Sequence, residues 1–211
     1  MKVLITGGAG FIGKWLVEKL PADIEIVIVD RLDSQVHKSF SGFAPELQSR
    51  ATCIEADIRN LESYREVVEG TDVFVHLAAQ TGTGQSMYEI SKYVQHNADG
   101  TAKLLELIAT LKHKPRRLIL SSSRAVYGEG AFTDGTNIFY PKGRRLAELE
   151  KGIWEVCNDE SKTLIPLPMR ENQLTKPTSV YGLTKLWQEQ LVENFCQIQN
   201  IDSAIFRFQN V

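Results

Sequence analysis

Lys2-Val3-Leu4-Ile5-Thr6-Gly7-Gly8-Ala9-Gly10-Phe11-Ile12-Gly13 opens the chain with a short apolar run followed by three glycines spaced three apart. The run Lys2-Ile5 reads as a strand, and Phe11 to Leu20 has the apolar spacing of a helix. A glycine-rich turn between strand and helix is what a dinucleotide requires. Gly7 allows the tight turn, Gly10 lets a pyrophosphate approach the backbone, and Gly13 lets the helix pack closely on the strand. The phosphates then meet the free N–H groups and the positive end of the helix. A second apolar run, Glu25-Val29, ends at Asp30, where an acid can take ribose hydroxyls.

Further along, short apolar runs keep alternating with helical patterns. Strands are expected at Thr52-Glu55, Asp72-His76, Arg117-Ser121 and Ser203-Phe208. Helices are expected after Asp57-Ile58-Arg59 to about Glu69, from Met87 to Leu111 and from Tyr181 to Gln199. Residues 31–50 read mostly as loop. This order implies an α/β fold, a doubly wound parallel sheet of Rossmann type with helices on both faces. Residues 1–211 read as one dinucleotide-binding domain, interrupted by a long insert at 129–176. The insert shows a helix-like piece, Arg144-Lys151, and no obvious strand. A segment of that length serves as a lid or binding loop, or is disordered.

Composition excludes several classes. Of 211 residues 43% are hydrophobic, enough for a sizeable core, and the net charge of −2 offers no basic field to nucleic acid. No apolar stretch approaches the roughly 20 residues that span a bilayer. The N-terminal apolar run is too short for a signal peptide. Cys53, Cys157 and Cys196 are an odd number without metal-ligand spacing, as in a reduced, cytoplasmic protein. No metal site is expected.

Tyr181-Gly-Leu-Thr-Lys185 places a phenol and an ammonium four apart on one helix face. A lysine charge beside a tyrosine favours the phenolate, which can take a proton from a sugar hydroxyl. The alternative is a core tyrosine with a solvated lysine. Ser121-Ser-Ser-Arg-Ala-Val-Tyr-Gly128 follows a strand, at the carboxyl end where open parallel sheets bind ligands. Ser123 is the candidate to hold the reacting hydroxyl; a serine turn capping the strand is the bland reading. His76 reads as a hydrogen-bonded core histidine, Cys196 as packing, and Arg144-Arg145 as a solvated helix face balanced by Glu148 and Glu150.

With these residues in order, the chain resembles the extended short-chain dehydrogenases/reductases of the NAD-dependent nucleotide-sugar epimerase and dehydratase family. The matching stretches are T-G-G-A-G-F-I-G (6–13), Asp30, A-D-I-R (56–59), H-L-A-A (76–79), Asn97 with Gly100-Thr101, S-S-S-R-A-V-Y-G (121–128), Y-G-L-T-K (181–185) and R-F-Q-N-V (207–211). The resemblance implies that Gly7, Gly10, Phe11, Ile12 and Gly13 hold the pyrophosphate of NAD. It places Asp30 on the adenosine ribose, Asp57 and Ile58 beside the adenine, Leu77, Ala78 and Ala79 along the cofactor path, and Asn97 near it. Ser123, Tyr181 and Lys185 become the catalytic set, with Tyr181 and Lys185 also against the nicotinamide end. Asn210 falls on a nucleotide-sugar contact. Asp30 repels a 2′-phosphate and favours NAD over NADP, and Arg31 partly offsets it.

A narrower resemblance, carried by Gln80 to Ile90, Asp33 to His37 and the insert, is to the branch that epimerises dTDP-L-rhamnose at C4 to dTDP-6-deoxy-L-talose. It adds Thr83 and Ser86 as sugar contacts, against a reading in which Ser86 caps the long helix and Met87 and Tyr88 are core. The implied reaction is a 4-epimerisation through a transient 4-keto sugar. UDP-sugar 4-epimerisation and nucleotide-sugar dehydration are the alternatives, although Arg124 and Ala125 stand where a dehydratase carries its acid pair. A non-catalytic NAD-binding regulatory module is a further one. The resemblance also implies a homodimer through the helices Met87–Leu111 and Tyr181–Gln199. Relatives continue past the counterpart of Val211 into a substrate domain, so an exposed apolar face and poor solubility are expected.

Overall fold

The computed structural model describes residues 1–37, 42–160 and 162–211. The chain runs β1 (Lys2–Thr6), α1 (Phe11–Lys19), β2 (Glu25–Asp30), α2 (Pro45–Arg50), β3 (Thr52–Glu55), a 3-10 turn (Ile58–Tyr64), α3 (Arg65–Val68) and β4 (Val73–His76). It continues through α4 (Thr83–Ser86), α5 (Ile90–Tyr93), a π-helical segment (Val94–Asp99), α6 (Gly100–Thr110) and β5 (Arg117–Ser123). Then follow β6 (Phe132–Thr133), β7 (Ile138–Phe139), α7 (Leu146–Leu149), β8 (Ile165–Pro166), α8 (Val180–Gln199) and β9 (Asp202–Phe208).

Six strands form one parallel sheet in the order β3-β2-β1-β4-β5-β9. The strand order reverses between β1 and β4, which opens a crevice at their carboxyl ends. Alternation along β1 sorts the core into two layers. Val3 and Ile5 pack with Ile26, Ile28, Val73 and Val75 against Val17 of α1 and Leu47 of α2. Leu4 faces the other way, with Val27, Phe74, Leu118 and Leu120, against Leu104 and Ile108 of α6 and Val192 and Cys196 of α8. Truncating a fully buried member such as Ile108 to Ala costs roughly 2–5 kcal/mol.

Three local expectations change. The stretch 31–50 is mostly loop among its described residues, as expected, and ends in a short helix, α2, that Pro45 starts at its first helical position. Residues 38–41 of that stretch, and residue 161 of the insert, lie outside the described residues. The helix after Asp57 is a 3-10 turn kinked at Asn60 before α3. The expected single helix from Met87 to Leu111 instead begins at Ile90 and widens into the π-helical turn Val94–Asp99. Met87 and Tyr88 are exposed, and Ser86 ends α4 rather than capping a long helix. The insert does contain strands: β7-β6-β8 form a small antiparallel sheet over Phe132, Val156 and Leu164. Two-residue strands are too short to leave an alternating signature.

One sheet face is incompletely covered. An apolar groove of about 430 Å³ runs over Val73, Val75, Ile119 and Phe208, between Leu16 and Phe206. Phe206 is 50% exposed and stacks on Phe208 at 6.1 Å. An apolar surface of this kind on an open sheet face is unusual for a parallel sheet, which is ordinarily covered on both faces. No described helix is long and apolar enough to cross a membrane.

Candidate active site

A cavity of about 610 Å³ lies at the carboxyl ends of the central strands. Its first wall is the glycine turn after β1. Gly7 takes φ +72°, and a Cβ there would stand 2.6 Å from the Ala78 nitrogen. A Cβ on Gly13 would stand 2.4 Å from the Gly8 oxygen, so only glycine lets α1 approach β1 this closely. Gly10 is the N-cap of α1 in extended conformation, without a side-chain cap. The first-turn N–H groups of α1 therefore have no helical acceptor, and Phe11, Ile12 and Gly13 line the cavity. That cradle fits a diphosphate.

Asp30 ends β2 beside this turn. Its carboxylate accepts from the Ala9 and Leu32 N–H groups, each at 3.0 Å, and lines the cavity. Asp57 is turned aside: it accepts the Arg59 N–H at 2.9 Å and both branches of the Arg59 guanidinium, which hold it below the usual carboxylate range against the opposing effect of burial. Ile58 packs where Gly100 leaves room; a Cβ on Gly100 would stand 2.8 Å from its Cδ1. Asp57, Ile58, Leu77, Ala78 and Ala79 all line the cavity.

Asn97 does not line it. Fully buried in the π-helical segment, it accepts the Gln80 N–H at 2.7 Å and donates to the Gln80 carbonyl at 3.1 Å and the Thr184 hydroxyl at 3.0 Å. Gln80 in turn lines the cavity. The wide turn thus lets one amide hold the loop after β4 and the start of α8 together.

The opposite wall carries Ser123, Tyr181, Lys185 and Asn210. The Ser123 hydroxyl oxygen accepts the Ala125 N–H at 3.1 Å. Ser179 caps α8 through the Gly182 N–H at 3.0 Å, which sets Tyr181 in the first turn and Lys185 one turn on. The Tyr93 ring meets Tyr181 edge-on at 6.4 Å. Lys185 is buried and donates to the Ser121 carbonyl at 2.8 Å. Burial lowers its pKa to about 7, against the pull of Glu189. Burial raises the Tyr181 phenol above its ordinary value, with the Ser123 side chain working the other way. The expected lowering of the Tyr181 pKa is therefore absent in the unliganded chain: desolvation dominates both groups.

Two sugar candidates lie elsewhere. Thr83 is exposed and Ser86 fully buried, and neither lines the cavity. The Ser86 hydroxyl donates to the Thr83 carbonyl at 2.6 Å and accepts the Tyr181 N–H at 3.0 Å. His76 is the expected core histidine, bonded to Thr6 at 2.7 Å and Thr101 at 2.9 Å. Burial lowers its pKa to about 3, so it is neutral. Arg144 and Arg145 pair with Glu129 and Glu148, and no described residue of 129–176 lines the cavity.

Several contributors escaped the sequence reading. Asp33, His96 and Gln80 line the cavity together with Arg31, which the sequence already offers. Glu189, buried, pairs with Arg207 at 2.8 Å and accepts from the Ser122 hydroxyl. Arg207 also donates to the Tyr127 hydroxyl at 2.9 Å and the Glu171 carbonyl at 2.9 Å. The signal for Glu189 is its spacing: Tyr181, Lys185 and Glu189 recur every four residues on one face. Among the described residues no group of three or more His, Cys, Asp or Glu is placed to hold a metal ion.

Comparison with known proteins identifies the family. Residues 3–143 match the model of the NAD dependent epimerase/dehydratase family. The chain is 37% identical to a dTDP-L-rhamnose 4-epimerase of Burkholderia thailandensis, covering 100% of this chain and 58% of that protein. It superposes on a UDP-glucuronic acid 4-epimerase of Bacillus cereus, solved with UDP-glucuronic acid and NAD, with TM-score 0.70 and 27% identity over 98% of this chain and 56% of that one. The UDP-glucose 4-epimerase of Thermotoga maritima gives TM-score 0.71 and 25% identity over 98% and 55%. The chain spans about half the length of the relatives it matches. The fold is that of the nucleotide-sugar epimerases of the short-chain dehydrogenase/reductase type, and the chain belongs to the NAD dependent epimerase/dehydratase family, whose cofactor is NAD.

Proposed function

We propose that the chain is the cofactor-binding and catalytic part of a nucleotide-sugar 4-epimerase acting on dTDP-L-rhamnose. One observation carries the reading: Ser123, Tyr181 and Lys185 face the same cavity as Gly7, Gly10, Gly13 and Asp30. NAD, when bound, supplies a hydride acceptor that returns the hydride within one turnover, so no net oxidation results. The first-turn N–H groups of Phe11, Ile12 and Gly13 receive the diphosphate. Asp30 takes the adenosine ribose hydroxyls, and Asp57 and Ile58 flank the adenine. Leu77, Ala78 and Ala79 line the path to the reacting end, and Asn97 acts by fixing Gln80.

Tyr181 removes the proton of the sugar C4 hydroxyl and Ser123 orients that hydroxyl. Lys185, when protonated, offsets the phenolate charge in a site where burial penalises both ions. Asn210 contacts the nucleotide-sugar from the cavity wall. Ser86 acts through the Tyr181 backbone, and Thr83, whose carbonyl takes the Ser86 hydroxyl, acts through Ser86.

The 37% identity to the rhamnose epimerase supports the choice of sugar. Proton NMR of dTDP-L-rhamnose, incubated with NAD and the product of the complete open reading frame, tests it. Growth of the 4-epimer without accumulation of NADH supports the reading. An unchanged sugar, with NAD binding verified, overturns the substrate, and the same assay on UDP-sugars then decides the alternative.

The reading includes residues 1–211 as one domain with 129–176 as an insert, a cytoplasmic setting and a homodimer. The dimer is supported by Leu183, Trp187 and Leu191, which recur every four residues on α8 and are 36%, 38% and 37% exposed. Replacing Trp187 with Glu is expected to yield monomer in light scattering; an unchanged dimer would place the interface elsewhere.

A further inference from the structure

The ribose side of the cavity holds a guanidinium that is already committed. Arg31 lines the cavity next to Asp30. One of its terminal nitrogens pairs with the Asp33 carboxylate, and the other donates to the His96 Nε2. The same nitrogen lies 3.9 Å from Asp57. His96 can accept only because its Nδ1–H donates to the Lys92 carbonyl at 2.7 Å, which leaves Nε2 as the lone-pair nitrogen. Burial lowers the His96 pKa and keeps that neutral form.

Asp33 is itself held. One oxygen accepts the Gln35 N–H at 2.8 Å, and the other faces Arg31 and the Gln80 amide at 3.3 Å. Arg59 is spent on Asp57. Around this end of the cavity, three carboxylates (Asp30, Asp33, Asp57) face two guanidiniums, with the His37 ring 3.8 Å from Asp30. An unpartnered arginine directly after Asp30 would be a ready site for a phosphate on the ribose 2′ position. Here one of its terminal nitrogens is turned onto a carboxylate and the other onto His96, so the charge of Arg31 is offset by Asp33.

Resting on the reading that this cavity takes NAD, we propose that Asp33 is a specificity-determining residue: by pairing with Arg31 it withholds that guanidinium from a 2′-phosphate, so the site selects NAD over NADP by two carboxylates rather than by Asp30 alone. Asp30 repels the added phosphate directly, and Asp33 removes the cation that would otherwise receive it.

Asp33→Asn is the discriminating change. It keeps an oxygen for the Gln35 N–H and removes only the charge facing Arg31. NAD and NADP affinities are measured calorimetrically on the 211-residue chain for the unsubstituted protein, Asp33→Asn, and Asp33→Asn with Arg31→Ala, with thermal unfolding to verify the fold of each. The expected result is NADP binding about tenfold tighter in Asp33→Asn, the gain of one charge-assisted hydrogen bond. NAD binding should change by less than about threefold, and the NADP gain should vanish in the double variant. Equal changes for both nucleotides, or a gain that survives loss of Arg31, would overturn the proposal while leaving the NAD reading intact. An unsubstituted chain that binds neither nucleotide would overturn both. If Asp33→Asn unfolds, Arg31→Ala alone decides: NADP binding should be unchanged, and a large loss would show that Arg31 already serves the phosphate.

Discussion

The ammonium of Lys185 donates to the main-chain carbonyl of Ser121, 2.8 Å away and two residues before Ser123 on the same strand. That bond ties α8 to the carboxyl end of β5 and brings Tyr181 and Ser123 to one wall. It also places a lysine where water does not reach, and the thermodynamic consequences can be measured.

Stability of the unliganded chain should rise with pH through two windows. Lys185 has a folded pKa of about 7, below its unfolded value, so between about 7 and 10.5 the unfolded chain binds the extra proton. His76 has a folded pKa of about 3, so the same holds from 6.5 down towards 3. Each window carries a slope of up to ~1.4 kcal/mol per pH unit in the same direction. Urea unfolding from pH 5 to 9 checks this. Lys185→Met should stabilise the chain most at or below pH 7, with the advantage shrinking towards pH 9. A pH-independent difference would contradict the burial argument.

Tyr181→Phe keeps the ring against Tyr93 and removes only the phenolic oxygen. NAD affinity should stay within about threefold, while sugar turnover falls by a factor on the order of 100 or more, the usual contribution of a positioned acid–base group. Proton NMR of the 4-epimer formed gives the readout. Retained turnover would remove Tyr181 from the chemistry.

Asn97→Ala should destabilise the fold by roughly 1–3 kcal/mol, since it strands the buried Gln80 N–H and carbonyl. NAD affinity should fall with it, because Gln80 lines the cavity. Asn97→Asp restores the acceptor for the Gln80 N–H but not the donor, and should recover part of the nucleotide affinity only. Unchanged affinity in Asn97→Ala would make the residue purely a packing element.

Phe206→Ser should reduce self-association of the 211-residue chain. Phe206 stands half exposed on the edge strand β9, beside an apolar groove, and an open edge next to an apolar face invites a second copy. Sedimentation at several concentrations checks it. Identical profiles would mean that the groove does not drive association.

The glycine turn, Asp30, the six long strands and the Tyr181–Lys185 pair were legible in the amino-acid order, because each rests on local chemistry. Only glycine fits Gly7 and Gly13, short continuous apolar runs mark strands buried on both faces, and a four-residue spacing marks a helix face. Tertiary structure decided the rest. It turned Asn97 away from the cavity and onto Gln80, and consumed the Ser86 hydroxyl in holding the Tyr181 backbone. It set Arg31 between Asp33 and His96, which lie apart in the chain. It also decided the protonation balance: sequence spacing suggested a lysine that lowers its neighbouring tyrosine, whereas burial pushes both groups towards neutrality. Desolvation depends on everything packed around a charge, and spacing along one helix carries no record of that.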